Sequence, residues 1–154
     1  MRNYRPALLL LAIAFFTLGQ TAAPDKWLGV WKLNLAKSKY QSAPPKNRVL
    51  KFEAVPAGLK ATSDLTDPEG VVHIEFTAKY DGKDVVMNGP AIRQTIAITR
   101  VDAYTFDSVQ KSSGTVTSTA RYVVSKDGKT LTTTSTATAP SGEKVTNISV
   151  YDRQ

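Results

Sequence analysis

The chain has 154 residues, 42% of them hydrophobic, with 20 basic and 13 acidic side chains and a formal charge of +7. This length and composition suit one packed domain. The absence of cysteine excludes disulfide frameworks, cysteine-ligated metal centres and thiol nucleophiles. The one histidine, His73, leaves too few imidazoles for a histidine-rich site, and we predict neither a metal nor a cofactor.

Residues 1–23 differ in composition from the rest of the chain. Arg2 and Arg5 form a basic start, an apolar run covers 7–18, and small and polar residues follow. This is the order of a secretory signal peptide, and the run is shorter than the roughly 20 residues that span a bilayer. We predict a signal peptide over 1–23 and an exported protein, periplasmic or secreted, with no integral membrane segment after cleavage. An uncleaved amino-terminal anchor is the alternative.

The basic residues of the remaining domain, 24–154, are scattered. The domain has 18 basic against 13 acidic residues, a charge of +5, and no run of five basic residues. Nucleic-acid binding needs a stripe of basic groups, preferably interleaved with aromatic residues. We therefore predict no nucleic-acid partner, and the sequence leaves the oligomeric state open.

Hydrophobic residues alternate with polar ones through most of 24–154, which is typical of β-strands with one buried face. Between Val72 and Tyr80 every second residue is apolar, and 50–54 and 104–107 repeat the pattern. The predicted strands lie near 29–35, 47–55, 58–65, 71–80, 84–88, 92–100, 103–110, 114–124, 129–138 and 144–152.

Short turn signals separate these strands. Asp81-Gly82, Asn88-Gly89 and Asp127-Gly128 favour tight hairpins, because both turn positions tolerate positive φ. Hairpin-length links require antiparallel neighbours. The exception is 36–46, where Pro44-Pro45 predicts an extended loop. We predict an all-β, antiparallel, up-and-down meander of about ten strands, closed into a barrel because closure removes exposed strand edges. A two-sheet sandwich is the alternative.

Both ends of the domain carry motifs of a known superfamily. The segment 27–33, Trp-Leu-Gly-Val-Trp-Lys-Leu, resembles the Gly-X-Trp opening of lipocalins and fatty-acid-binding proteins. The end, Val150-Tyr151-Asp152-Arg153, is similar to the closing strand of the fatty-acid-binding branch, and 125–131 matches a hairpin common in such chains. The chain thus resembles small exported lipocalin-like proteins of the calycin superfamily.

The resemblance implies roles for individual residues. It gives Trp31 the structural role of closing the barrel floor, beneath a cation that Arg153 or Arg121 can supply. Tyr151 matches the tyrosine of an inward Arg-X-Tyr that holds the ligand carboxylate in fatty-acid binders, but Ser149 stands at the arginine position. The helical lid of that branch has no counterpart in 36–46.

The residue pattern itself offers few chemical groups. His73 and Glu75 share one strand face that we expect to be solvent-exposed, so no catalytic residue is predicted. Arg121 would bind an anionic ligand if its face pointed inward, although the opposite face of its strand is the more apolar. Our candidate ligand-binding residues are Phe76, Tyr104, Phe106, Arg121 and Tyr151.

These expectations combine into a binding protein rather than an enzyme. We predict an exported barrel that buries a small hydrophobic or amphipathic molecule against its inward aromatic side chains. The alternative is a filled barrel that acts as an envelope or extracellular interaction module without a small-molecule site. Barrels of this size lie between packed and hollow, so the sequence does not choose between them.

Overall fold

The computed structural model describes residues 25–90, 94–139 and 141–154. The predicted signal peptide, 1–23, lies outside these described residues. The described chain forms strands numbered here in chain order: β1 Gly29–Leu33, β2 Asn47–Val55, β3 Gly58–Asp67, β4 Gly70–Ala78, β5 Val85–Val86, β6 Gln94–Arg100, β7 Thr105–Ser112, β8 Thr115–Val124, β9 Thr130–Thr138 and β10 Lys144–Arg153. Each strand was predicted, with bounds within two residues of those observed.

All the strands join one antiparallel sheet, in the order β4-β3-β2-β1-β10-β9-β8-β7-β6-β5. The first and last strands pair directly, with Trp31 opposite Arg153. The two edges of the sheet meet at Glu75 and Asn88, which exchange backbone hydrogen bonds of 2.9 and 2.8 Å. The predicted antiparallel up-and-down barrel is confirmed, with a sheet that is nearly closed, and the sandwich alternative is wrong.

The link between β1 and β2 follows the last strand instead of standing free. A 3-10 turn at Leu35–Lys37 is followed by a backbone bridge between Lys39 and Ile148. The Tyr40 hydroxyl then lies 2.8 Å from the Ser149 hydroxyl.

Among the described residues, no helix is long and apolar enough to cross a membrane.

Alternation along the strands separates a barrel interior from a wet exterior. On β2, Leu50 and Phe52 are buried whereas Lys51 between them is exposed. On β4, Ile74 and Phe76 point into the barrel, while His73 stays at the surface. The residues with almost no exposed surface cluster into one core: Trp27, Trp31, Leu59, Ile98, Phe106, Leu131 and Tyr151.

A bulge changes the inward face of β8 near its start. Gln110 pairs with Ser118 but Lys111 pairs with Val116, so Thr117 is an extra residue in the ladder. An extra residue reverses the alternation. Val116 is an even number of positions from the inward Tyr122, so simple alternation would turn it inward, but after the bulge it is 49% exposed.

Candidate functional site: an interior cavity above an aromatic floor

One end of the barrel is closed by Trp31 and Arg153. Trp31 has no exposed surface, and its indole Nε1 donates a 2.7 Å hydrogen bond to the Trp27 carbonyl oxygen. The Arg153 guanidinium lies over the indole, with Cζ 4.1 Å from the ring centroid. A cation on the face of an indole is an attractive arrangement. Of the two cations that the resemblance offered, Arg153 is the one that the structure places here.

Arg153 is held by backbone groups rather than by a carboxylate. Its Nε donates to the Gly128 carbonyl at 2.5 Å, Nη1 to Leu28 at 2.7 Å and Nη2 to Lys26 at 2.6 Å. Burial lowers the pKa of Arg153. The single guanidinium thus ties the β8–β9 turn to the segment before β1.

A second aromatic layer surrounds Trp27. Its Nε1 donates to the Tyr80 hydroxyl at 3.0 Å, and Phe106 packs edge-on at 5.2 Å between centroids. Arg100 lies over both the Trp27 and Tyr80 rings and pairs with Asp25. This layer adds a second set of aromatic side chains to the floor.

A cavity of about 240 Å³ lies in the barrel interior. Its aromatic lining comprises Phe52, Phe76, Phe106, Tyr122 and Tyr151, and its larger aliphatic lining comprises Leu50, Ile74, Met87, Ile96 and Ile98. Phe106 and Tyr122 stack in parallel at 4.3 Å, and Phe52 meets both edge-on. An apolar lining with a few polar groups is the usual character of a ligand site.

Hydroxyl groups also line the cavity. They come from Thr62, Ser63, Ser108, Ser118, Thr133, Ser135 and Ser149, together with the phenols of Tyr122 and Tyr151. Two of them, Ser63 Oγ and Thr133 Oγ1, are buried without a hydrogen-bond partner in the described structure. Buried polar atoms are normally paired, so these two are available to a bound molecule.

Arg48 is the cationic group of this lining, and our sequence analysis missed it. The available signal was its place in the period-two alternation. Arg48 precedes the inward Leu50 and Phe52 by two and four residues, so it lies on the same inward face. Strand register also predicts its neighbour. Val49 pairs with Lys32, which puts Arg48 level with Leu33, and Leu33 pairs with Tyr151.

The environment of Arg48 is unusual for a guanidinium. Its Nε is buried without a hydrogen-bond partner, and no carboxylate of the described residues forms an ion pair with it. Burial raises the pKa of Tyr151, whereas the Arg48 charge and a hydrogen bond from Arg48 act in the opposite direction. Burial also raises the pKa of Tyr122, which is opposed by the Arg48 charge and by a hydrogen bond with Ser108.

The structure brings three of the five candidate binding residues together. Phe76, Phe106 and Tyr151 line the cavity. Tyr104 precedes β7 at the floor end and packs against the core without lining the cavity. Arg121 points outward from β8, and its side chain is 59% exposed.

Outward charges are paired with one another. The Arg121 guanidinium donates two 2.8 Å hydrogen bonds to the Asp107 carboxylate, and this contact lowers the pKa of Asp107. The expected surface position of His73 is correct, since its Nδ1 lies 2.5 Å from an Asp64 oxygen on the neighbouring strand. No three His, Asp or Glu side chains converge as a metal site within the described ranges.

Comparison with solved structures yields similar barrels at low sequence identity. A zebrafish ileal bile acid-binding protein complexed with cholic acid aligns over 84% of this chain and 99% of its own, with 12% identity and a TM-score of 0.50. The extracellular fatty acid binding protein As-p18 aligns over 85% and 98%, with 14% identity and a TM-score of 0.53. The chain has a lipocalin-like, calycin-type fold. No family model and no curated protein sequence matches it.

This calycin-type barrel departs from the fatty-acid binders at its polar end. Where the resemblance implied an inward arginine, Ser149 is buried and contacts Tyr40. The guanidinium near Tyr151 comes instead from Arg48 on β2. The cation is therefore supplied by a different strand.

Proposed function

We propose that this chain is an exported binding protein that holds a small hydrophobic or amphipathic molecule inside its barrel. The observation that carries the proposal is the interior cavity of about 240 Å³, which is lined by aromatic rings and by hydroxyl groups. A filled barrel, the alternative use of the fold, has no need for an interior void. The cavity therefore favours small-molecule binding over a purely surface-based interaction module.

The similar barrels support the same use of the fold. One is named as a bile acid-binding protein and the other as a fatty acid binding protein, so both names describe binders of amphipathic molecules rather than enzymes. In this chain, the apolar part of the ligand would pack against Phe76 and Phe106. Tyr151 would supply a hydroxyl to its polar end. Burial of the apolar part removes it from water and stabilises the complex.

Export is part of the proposal and is supported by the composition of 1–23 alone. Cleavage would leave the barrel domain, 24–154, in the periplasm or outside the cell. The extracellular description of one similar barrel is compatible with that location.

Mass spectrometry tests export and binding in one preparation. The full chain is expressed with residues 1–23 in a bacterial host, and the protein from the periplasmic fraction is weighed under native and denaturing conditions. We expect a denatured mass that lacks about 23 residues and a native mass that includes a ligand. A full-length denatured mass contradicts cleavage.

Tyr151→Phe tests the assigned site once a ligand has been released and identified. The variant removes one hydroxyl and leaves the ring, so we expect weaker binding and an unchanged fold. Unchanged affinity would exclude Tyr151 as the polar contact. If the native mass stays bare after incubation with mixed lipids and small hydrophobic compounds, the filled interaction barrel is the better interpretation.

A further inference from the structure

We infer that the cavity selects a compact organic anion, whose carboxylate binds Arg48 and the hydroxyl groups around it. This inference rests on the proposed function and names the chemical class of its ligand. It follows from three features of the cavity: a guanidinium without a counter-charge, a lining of hydroxyls without an acidic side chain, and a small volume.

The first feature is the unbalanced charge of Arg48. Arg48 is half-buried and its Nε is fully buried, and a cation that is partly removed from water is costly unless a counter-charge or hydrogen-bond acceptors replace its hydration. The half-buried Arg153 has such partners, since it donates to three carbonyls, and even the more exposed Arg100 pairs with Asp25. Arg48 has the neutral phenol of Tyr151 beside it, while its Nε has no acceptor. A carboxylate is the acceptor that matches the planar guanidinium.

The second feature is the absence of acidic side chains from the lining. Arg48 is accompanied in the described lining by hydroxyl and amide groups, and by no Asp or Glu. Thr133 Oγ1 and Ser63 Oγ are buried without partners. Hydroxyls can donate to an anion, whereas a lining carboxylate would repel it. The site is therefore electrostatically suited to an anion and offers nothing comparable to a cation.

The third feature is size. The cavity of about 240 Å³ is smaller than the roughly 300–1,000 Å³ that is usual for pockets that hold drug-sized ligands. The aromatic floor formed by Trp27, Trp31 and Phe106 is fully buried and prevents extension in that direction. An acid with a short apolar part fits this space, and a long hydrocarbon chain does not.

Three probes separate charge from size, and isothermal titration calorimetry measures their affinities. Octanoate is compact and anionic, octanamide has the same number of non-hydrogen atoms without the charge, and hexadecanoate doubles the chain. We expect octanoate to bind at least about tenfold more tightly than octanamide, the usual size of a charge-assisted contact. We expect hexadecanoate to bind no more tightly than octanoate.

Two variants assign the preference to Arg48. Arg48→Met keeps the apolar stem and should abolish the preference for octanoate over octanamide, while Arg48→Lys should retain part of it. Arg121→Gln is the matched control, because Arg121 lies on the exterior and pairs with Asp107. Thermal unfolding checks that each variant is folded. The comparison of the three probes on the unmodified chain tests the anion preference even if a variant does not fold.

The possible results distinguish this inference from the proposed function. Equal binding of octanoate and octanamide, unchanged in Arg48→Met, overturns the anion preference and leaves small-molecule binding intact. Tighter binding of hexadecanoate than of octanoate overturns the size limit. If none of the three probes binds, the inference is overturned, whereas the proposed function is decided separately by the native mass of the periplasmic protein.

Discussion

A Cβ atom on Gly29 would lie 2.6 Å from Nη1 of Arg153. The backbone of Gly29 also has φ +127°, a conformation that residues with side chains rarely adopt. The glycine of the Gly-X-Trp motif thus leaves space for the guanidinium, and the tryptophan two residues later supplies the ring on which it lies. This contact adds a side-chain link to the backbone pairing of the first and last strands.

Gly29→Ala is expected to destabilise the fold more than an ordinary glycine substitution. Backbone strain of this kind costs about 1–3 kcal/mol, and displacement of Arg153 adds the loss of its hydrogen bonds. Gly142→Ala is the matched control, since Gly142 has φ +86° but nothing within 4 Å of its would-be Cβ. Urea denaturation of both variants measures the difference. Equal losses of unfolding free energy would show that the space for Arg153 is unimportant.

Trp31→Ala is expected to lower the free energy of unfolding by about 3–5 kcal/mol, the usual cost of removing a large buried aromatic side chain. The indole has no exposed surface and supports the Arg153 guanidinium, so truncation leaves both a cavity and a displaced cation. Trp31→Phe keeps a ring in the floor and should lose less. Chemical denaturation followed by circular dichroism gives the values. A nearly neutral Trp31→Ala would contradict a structural role for the floor.

The strands were predictable because one face of each is buried, which forces alternation with period two. Turn chemistry then specified antiparallel neighbours, and closure of the barrel followed from the cost of open edges. The pairing register within each hairpin followed from the type and length of its turn. The bulge at Thr117 could not be predicted from the sequence, because one inserted residue does not change the amino-acid composition of the strand.

The candidate site was predictable only in part. Phe76 and Phe106 were found because large apolar residues identify the inward face. Arg48 was missed because a charged residue on an apolar face is normally interpreted as the end of the buried segment, and its neighbour Tyr151 lies about 100 positions away in sequence. Tyr104 alternates with Phe106 yet lies beyond the cavity, since alternation gives the face but not the depth.

Stability should decline above about pH 10, the ordinary pKa of tyrosine. Burial raises the folded-state pKa of Tyr122 and Tyr151, so the folded chain keeps phenolic protons that the unfolded chain loses. The contribution is fully present below the unfolded pKa and is lost as the pH rises above it. Urea denaturation between pH 8 and about 11 measures the slope.

The control for this alkaline effect is the double variant Tyr122→Phe, Tyr151→Phe, which removes both buried phenols. Its stability should fall less steeply above pH 10 than that of the unmodified chain. Lysine titration contributes equally to both proteins, so the difference between the two slopes isolates the tyrosines. Parallel slopes would show that these phenols ionise as readily in the folded state as in the unfolded state.

Ala120→Leu should block ligand binding by filling the cavity. Ala120 lines the cavity from β8, whereas its neighbour Thr119 faces the solvent, so Thr119→Leu adds a leucine at the same height on the outside. Calorimetric titration with octanoate and octanamide should show at least about a tenfold loss of affinity for Ala120→Leu, which corresponds to about 1.4 kcal/mol. Thr119→Leu should bind as the unmodified chain does. One probe is charged and the other is neutral, so a loss of affinity for both shows that the space in the cavity, and not the ligand charge, was changed. Equal affinity in all three proteins would place binding elsewhere on the molecule.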